Sequence, residues 1–477
     1  MERETAESLV VPTKSGNASH ADPVEGRGDR NATEPEEGTT LETKGSEEVY
    51  TKLDRIAELA REHPDWALST LAHAIDIEFL REAYARTRKS GAVGVDGQTA
   101  DEYAVDLDAN LTVLLERFKS GSYRAPPVKR VHIPKGDGKT RPIGIPTFED
   151  KVLQRAVTMV LEAIYEQDFM DCSYGYRRGR SAHQALEATW RATMSFGAGW
   201  VIELDIQSFF DSLDRAQLRG FLDRRVKDGV IRRVIGKWLS AGVLEDGVVE
   251  RPKGGTPQGG VISPILANIY LHEVLDTWFE REVKPRLKGR ATLIRFADDA
   301  VLVLSAEEDA RRLMDVLPKR FEKYGLRLHP EKTRLLRFER PRDGDDDDDR
   351  PGSFDFLSFT HYWAKSRKGA WIVKRKTSKS RFTRSIKRVR EWCAKNRHLP
   401  IEEQHRTLTQ KLRGHYAYFG ITGNGDAIGR FAFEVRCAWH YWLERRSQRG
   451  KMSWDRFNVI LKRLPLPPPR IVHSIYA

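Results

Sequence analysis

Residues 294–303, IRFADDAVLV, set two adjacent carboxylates, Asp298 and Asp299, between two short runs of strand-forming residues. Two such runs with so short a link read as a hairpin, and one this apolar must pack inside a sheet. Charge at its tip has two readings. Asp is a good turn residue, and a solvated turn accounts for the pair with no chemistry at all. Carboxylate oxygens are also hard ligands, and a pair aimed by flanking strands can hold a divalent cation. The second reading needs another acid from elsewhere in the chain.

Residues 199–206, GWVIELDI, supply it: a buried strand ending at Asp205, followed by Phe209 and Phe210. A largely apolar strand ending in an acid, beside a hairpin bearing two more, is what a two-metal nucleotidyl-transfer site requires. Two Mg²⁺ ions about 3.5–4 Å apart would activate a primer 3′-hydroxyl and steady the leaving pyrophosphate. Bridging carboxylates are what hold two such charges so close.

The remaining segments read as mixed helices and strands. Apolar residues return at helical spacing after residue 49, whereas the first 48 residues lack periodicity and almost all aromatics and read as a disordered acidic tail. Residues 105–121 form an amphipathic helix ended by Gly121, and KRVHIPKGDGKTRPIGIP reads as two strands around a Gly-Asp-Gly turn. A strongly periodic helix starts at Glu149. Ser181 and Gln184 form a capping box for another, and Ser263 with Pro264 opens a third. His183 reads as structural, and the acidic run 345–349 as a solvated loop.

Charge is unevenly spread. Residues 1–49 carry 12 acids and 5 bases, residues 361–477 carry 27 bases and 7 acids, and the middle is near neutral. So concentrated a positive region fits a nucleic-acid partner, with a solvated basic face as the plain alternative. Cys172, Cys393 and Cys437 are the only cysteines and lie too far apart for a disulfide framework or a Cys-x-x-Cys zinc pair. No apolar run reaches spanning length and no signal peptide opens the chain, so a cytoplasmic protein without a membrane partner is expected.

Ten segments in order, GVDGQT, IPKGDGKTRPIGIPTFEDKVLQ, SYGYRRGRSAHQAL, ELDIQSFFDSLD, GTPQGGVISPILANIYL, RFADD, LHPEKT, FDFLSF, LRGHYAYF and LPPPRIVHS, resemble the reverse transcriptase/maturases of bacterial group II introns. The resemblance runs from about Leu53 to His473. It implies an α+β right-hand polymerase: a helical N-terminal extension over 49–128, fingers over 129–200, a palm with an antiparallel sheet over 201–360, and a basic helical thumb and maturase region over 361–477. It implies RNA-directed DNA synthesis with two Mg²⁺ ions, Mn²⁺ being a substitute, on an RNA template with a DNA primer and dNTPs. Structured RNA, that of a group II intron, would be the binding partner.

Residue by residue, the resemblance makes Asp205 and Asp298 metal ligands, with Asp299 beside them and the backbone carbonyl of Ile206 a further ligand. Lys135 and Arg141 would hold the triphosphate, Gln258 would line the sugar and base pocket, and Phe210 would crowd a ribose 2′-hydroxyl. Lys332 would protonate or neutralise the departing pyrophosphate. Taken singly, Phe210 reads as core, Lys332 as a helix-end cation and Gln258 as a loop hydrogen-bonder. Three positions depart from the family pattern: Phe296 stands for tyrosine, Arg178 for proline and Ser358 for glycine.

Residues 361–400 read as a strand or hairpin running into a basic helix, where Lys374, Arg375, Lys376, Arg384, Lys387 and Arg388 are nucleic-acid contacts and Trp363, Trp371 and Phe382 offer aromatic surface. The chain ends four residues past His473, so no endonuclease domain is expected. Two other functions share these features: a non-catalytic RNA-binding splicing maturase, and a domesticated enzyme of DNA repair or phage defence.

Overall fold

The computed structural model describes residues 40–134, 140–196, 199–245, 248–250, 259–341, 352–447 and 452–474. Helix α1 spans Thr40–Glu62, so helical structure begins nine residues before the boundary expected at residue 49. Helices α2 (Ile77–Arg86), α3 (Ala100–Ala104) and α4 (Leu107–Ser120) follow. Gly121 ends α4 at φ 76°, a left-handed cap that glycine takes without a Cβ penalty. Strands β1 (Val128–Pro134) and β2 (Thr140–Ile145) flank the Gly-Asp-Gly turn, which lies outside the described residues. Helix α5 (Phe148–Tyr165) is next, then α6 (Ala182–Phe196), β3 (Trp200–Asp205) and the short α7 (Phe209–Ser212).

Helices α8 (Arg215–Leu222) and α9 (Gly229–Ser240) precede the short strands β4 (Val243–Glu245) and β5 (Val248–Glu250). In α10 (Ser263–Leu271) the N-cap is Ile262, one residue earlier than expected, because Pro264 fits the first turn with Ser263 already helical. Two π-helical turns, His272–Asp276 and Phe279–Val283, continue the rod. The hairpin strands β6 (Ala291–Phe296) and β7 (Asp299–Leu304) lead to α11 (Glu307–Glu322). Strands β8 (Arg334–Arg337), β9 (Phe354–Phe356), β10 (Phe359–Lys365) and β11 (Trp371–Thr377) precede helices α12 (Lys379–Lys395), α13 (Ile401–Phe419), α14 (Gly425–Glu444) and α15 (Trp454–Arg463).

Two compact units result, 1–182 with 204–300 and 311–333, and 183–203 with 301–310 and 334–477. In the first, α5 is the core helix. Val152, Leu153, Ala156, Val157, Val160, Leu161 and Ile164 are all buried at the spacing the sequence displays, and α1 and α2 pack on the helix. Its first turn buries Asp150, which accepts from Trp238 Nε1 at 2.6 Å, Gln154 Nε2 at 3.1 Å and the Tyr123 hydroxyl. Burial pushes this carboxyl up to about 6. Strands β2, β1, β4 and β5 form a sheet in that order.

The other sheets are β6-β7-β3-β8, in which β3 and β8 run antiparallel, and the antiparallel β9-β10-β11. Leu357 (φ 50°) and Ser358 (φ 68°) make the two-residue link from β9 to β10. A two-residue hairpin with both central φ positive favours Asn-Gly or Gly-Gly. That geometry is the physical reason for a glycine where this chain has Ser358. In the second unit α12 packs on α14.

Candidate active site

Strand β3 delivers Asp205 to its end: every residue from Val201 to Leu204 is buried, and the carboxylate that follows them is half-exposed. Residues 327–333 fix its main chain. The Asp205 carbonyl accepts from His329 N at 2.8 Å and Thr333 Oγ1 at 3.2 Å, Gln207 N donates to the Arg327 carbonyl at 2.8 Å, and Ile206 bridges Leu328. Ile206 buries its side chain, so its contribution to a site is through the backbone. Lys332, from the same segment, puts Nζ 3.0 Å from Asp205 Oδ2.

Asp298 comes from the β6–β7 tip. Ala297 before it adopts φ 59°, which residues with a Cβ rarely take. Desolvation, reinforced by the negative charge of Asp205, pushes the Asp298 carboxyl up to about 6, while Arg141 and Arg295 pull the other way. The Asp205 carboxylate therefore lies near enough for its charge to act on Asp298. Among the described residues no three His, Cys, Asp or Glu side chains converge. Asp299 follows directly and opens β7.

Arg141 lies on β2 opposite Ile133. Its half-buried guanidinium feels the charges of Asp298 and Asp211, desolvation lowers its pKa, and its buried Nη1 has no hydrogen-bond partner among the described residues. A desolvated cation with a donor left over is suited to an anion such as a phosphate. Lys135 and Gln258 lie outside the described residues. Next to Gln258, Gly259 (φ 118°) sits so close to β2 that a Cβ would fall 2.6 Å from the Gly144 carbonyl oxygen. Gly259 therefore abuts the strand that carries Arg141.

Phe209 and Phe210 divide their labour. Ser208 at φ 47° starts the short α7, Phe209 is buried, and Phe210 stays half-buried with its ring edge-on to Phe209 at 5.3 Å. Phe210 is therefore only partly packed away from solvent.

Sequence reasoning missed a buried polar cluster beneath the hairpin. Arg295 and Asp276 are fully buried and paired through Nε–Oδ1 at 2.7 Å and Nη2–Oδ2 at 2.5 Å. Arg295 also donates to Asn268 Oδ1 (3.0 Å), Ser173 Oγ (2.7 Å) and the Ala297 carbonyl (2.9 Å). The signal was an arginine inside a largely apolar strand, but its side-chain partners lie 19 to 122 residues away.

In the second unit the basic cluster needs correction. Along β11, Lys374 is half-buried, Lys376 is exposed and Arg375 is buried, paired in register with His361. Strand periodicity of two turns Arg375 inward, so it is not a surface contact. Trp363 is likewise core, its Nε1 donating to the Phe338 carbonyl at 3.1 Å. Lys387 is exposed on α12, while Arg384 and Arg388 are half-buried. His183 is structural, with Nε2 2.9 Å from the Tyr418 carbonyl and its ring stacked on His473 at 3.6 Å.

An α+β chain with a strand-end carboxylate near one from a hairpin tip has the layout of a right-hand nucleotidyl-transfer polymerase. Residues 133–361 match the family described as reverse transcriptase (RNA-dependent DNA polymerase). The group II intron-encoded protein LtrA of Lactococcus lactis subsp. cremoris is 34% identical over 306 residues, covering 61% of this chain and 50% of LtrA. Protein YkfC of Escherichia coli is 33% identical over 299 residues, covering 54% of this chain and 76% of YkfC. A telomerase from Candida albicans, solved with a fragment of telomeric RNA, aligns at TM-score 0.40 and 15% identity over 77% of this chain and 66% of its own, a likeness too slight to bear weight. The chain belongs to the group II intron-encoded reverse transcriptase/maturase family. It spans about half the length of LtrA.

Proposed function

We propose that this chain is an RNA-directed DNA polymerase that also binds structured intron RNA as a maturase. The neighbouring acids Asp205, at the end of β3, and Asp298, at the hairpin tip, both inside the reverse transcriptase match, are the observation that carries the reading. The pair suits a hard divalent cation, since two oxygen donors that repel one another are relieved by a positive ion between them. Asp205 and Asp298 would hold Mg²⁺, with Asp299 beside them and the Ile206 carbonyl a further ligand, and Mn²⁺ would serve as a substitute. When bound, the metal lowers the pKa of the primer 3′-hydroxyl and offsets charge on the leaving pyrophosphate.

The protein's own groups do the rest. Arg141, helped by Lys135, draws in the triphosphate; Gln258 and Phe210 shape the sugar and base pocket; Lys332 neutralises or protonates the pyrophosphate. The exposed Lys376 and Lys387, with Lys374, Arg384 and Arg388, contact the phosphates of RNA.

Primer extension on an RNA template tests the reading. Asp298→Asn preserves shape but removes one metal-facing charge, so extension should fall about a thousandfold or more while RNA affinity stays near that of the parent. Near-normal extension by this variant would remove the polymerase reading.

A further inference from the structure

We propose that Arg295, with Asp276, Asn268 and Ser173, is the positioning device for Asp298, fixing the hairpin tip so that Asp298 and Asp205 take a divalent cation together. This rests on the polymerase reading above and adds the part of the chain that sets its metal affinity.

A buried ion pair is a poor means of stabilising a fold, because apolar side chains of similar volume serve as well or better. The Arg295–Asp276 pair is wholly excluded from solvent. Its output must be sought in geometry. The guanidinium makes five hydrogen bonds: two to Asp276, and one each to Asn268, Ser173 and the Ala297 carbonyl. The last of these matters most, since Ala297 precedes Asp298 and sits at φ 59°. Such a conformation persists only where its surroundings over-determine it.

Those surroundings all converge on Arg295. Its main chain bridges residues 172–174, with Arg295 N donating to the Cys172 carbonyl at 2.7 Å and Tyr174 N donating to the Arg295 carbonyl at 2.8 Å. The next residue, Gly175, lies where a Cβ would fall 2.3 Å from Ala297 N, so only glycine lets the hairpin tip settle there. Asn268 ties the two together, its Nδ2 donating to the Gly175 carbonyl at 2.7 Å while its Oδ1 accepts from Arg295.

The π-helical turn explains how one rod supplies two partners. Asn268 and Asp276 are eight residues apart, which on a regular α-helix leaves them about 80° out of phase. The wider turn over His272–Asp276 reduces that offset, so both side chains reach the same guanidinium. Lysine has neither the planar fork nor the five donors this arrangement uses.

Two variants of the full chain test the proposal. Arg295→Lys keeps the buried charge pair but cannot make all five bonds, and Arg295→Met with Asp276→Leu replaces the pair by apolar packing that preserves folding. Terbium luminescence, with Mg²⁺ as competitor, reads metal affinity without turnover; primer–template affinity, the Mg²⁺ midpoint of extension and thermal unfolding are measured alongside. For both variants the expected result is a folded protein whose metal affinity is 10- to 100-fold weaker, in the range of partners that orient metal ligands. The Mg²⁺ midpoint should rise by the same factor, with primer–template affinity within about twofold of the parent. Metal affinity and Mg²⁺ midpoint unchanged in either folded variant overturn the proposal. If the parent binds terbium and the variants lose it, yet the parent extends no primer, the polymerase reading fails and the positioning role stands.

Discussion

Lys332 Nζ lies 3.0 Å from Asp205 Oδ2, and both side chains keep considerable exposure, 60% and 40%. An exposed pair of this kind contributes little to stability. What it does provide is a cation adjacent to an acid of the candidate site, on a segment whose backbone also braces Asp205.

Lys332→Gln should therefore leave thermal stability and primer–template affinity near parental values and slow single-turnover extension about 10²- to 10⁴-fold, the usual range for a general acid. Lys332→Arg separates two roles. Recovery of the rate by arginine assigns charge neutralisation, and failure to recover assigns proton donation. Parental rates for the glutamine variant would leave the lysine a surface cation.

Phe210→Ala opens the space beside the buried Phe209 without unseating it. Incorporation of ribonucleotides relative to deoxynucleotides should rise at least about tenfold, the scale of one lost apolar contact in a specificity pocket. Competition between the two sugar types on one template measures it, and an unchanged ratio assigns the ring to packing.

For RNA binding, the substitutions to make are Lys374, Lys376 and Lys387 to Ala, sparing Arg375 because it is buried. The log–log dependence of affinity on salt should flatten by up to roughly two to three units, with binding weakened similarly across RNAs. Turnover at saturating template should hold. A salt slope equal to that of the parent would show these lysines to be solvated.

Acid should destabilise the second unit through His361. The ring is fully buried, stacked on Phe354 at 4.6 Å, and neither nitrogen has a hydrogen-bond partner among the described residues. Burial, with the neighbouring charge of Arg375, pushes its pKa down to about 3. The folded form holds the ring neutral, so the unfolded chain takes up the proton first as pH drops below about 6.5, and stability is lost from there down towards pH 3. Between pH 6.5 and 5 the loss should be about 2 kcal/mol. His361→Leu should abolish that part of the acid sensitivity in denaturant titrations at pH 7 and 5.

Ser358→Gly should stabilise the β9–β10 turn by about 0.5–1 kcal/mol, the left-handed strain relieved less the extra freedom of the unfolded glycine. Denaturant unfolding at pH 7 measures it.

Much of the molecule could be read along the chain. The buried positions of α5 follow its apolar spacing, Gly121 ends α4, β3 terminates at Asp205, and the hairpin carries Asp298 at its tip. Each of these is local: helical and strand periodicity, a left-handed cap and turn chemistry depend on neighbours within a few residues.

The inward turn of Arg375 and the burial of Trp363 depended on which face of a sheet became the inside. A list of basic or aromatic residues does not carry that information. The Arg295 cluster depended on more. Ser173, Asn268, Asp276 and Arg295 come from three stretches of sequence whose meeting requires a parallel bridge, a glycine without a Cβ and a π-helical turn all at once. The sequence by itself determined the acids and the elements that bear them. Only the tertiary structure decided which acids come near each other and what braces them, because a buried charge selects its partner by distance in space, and that distance exists only once the chain has packed.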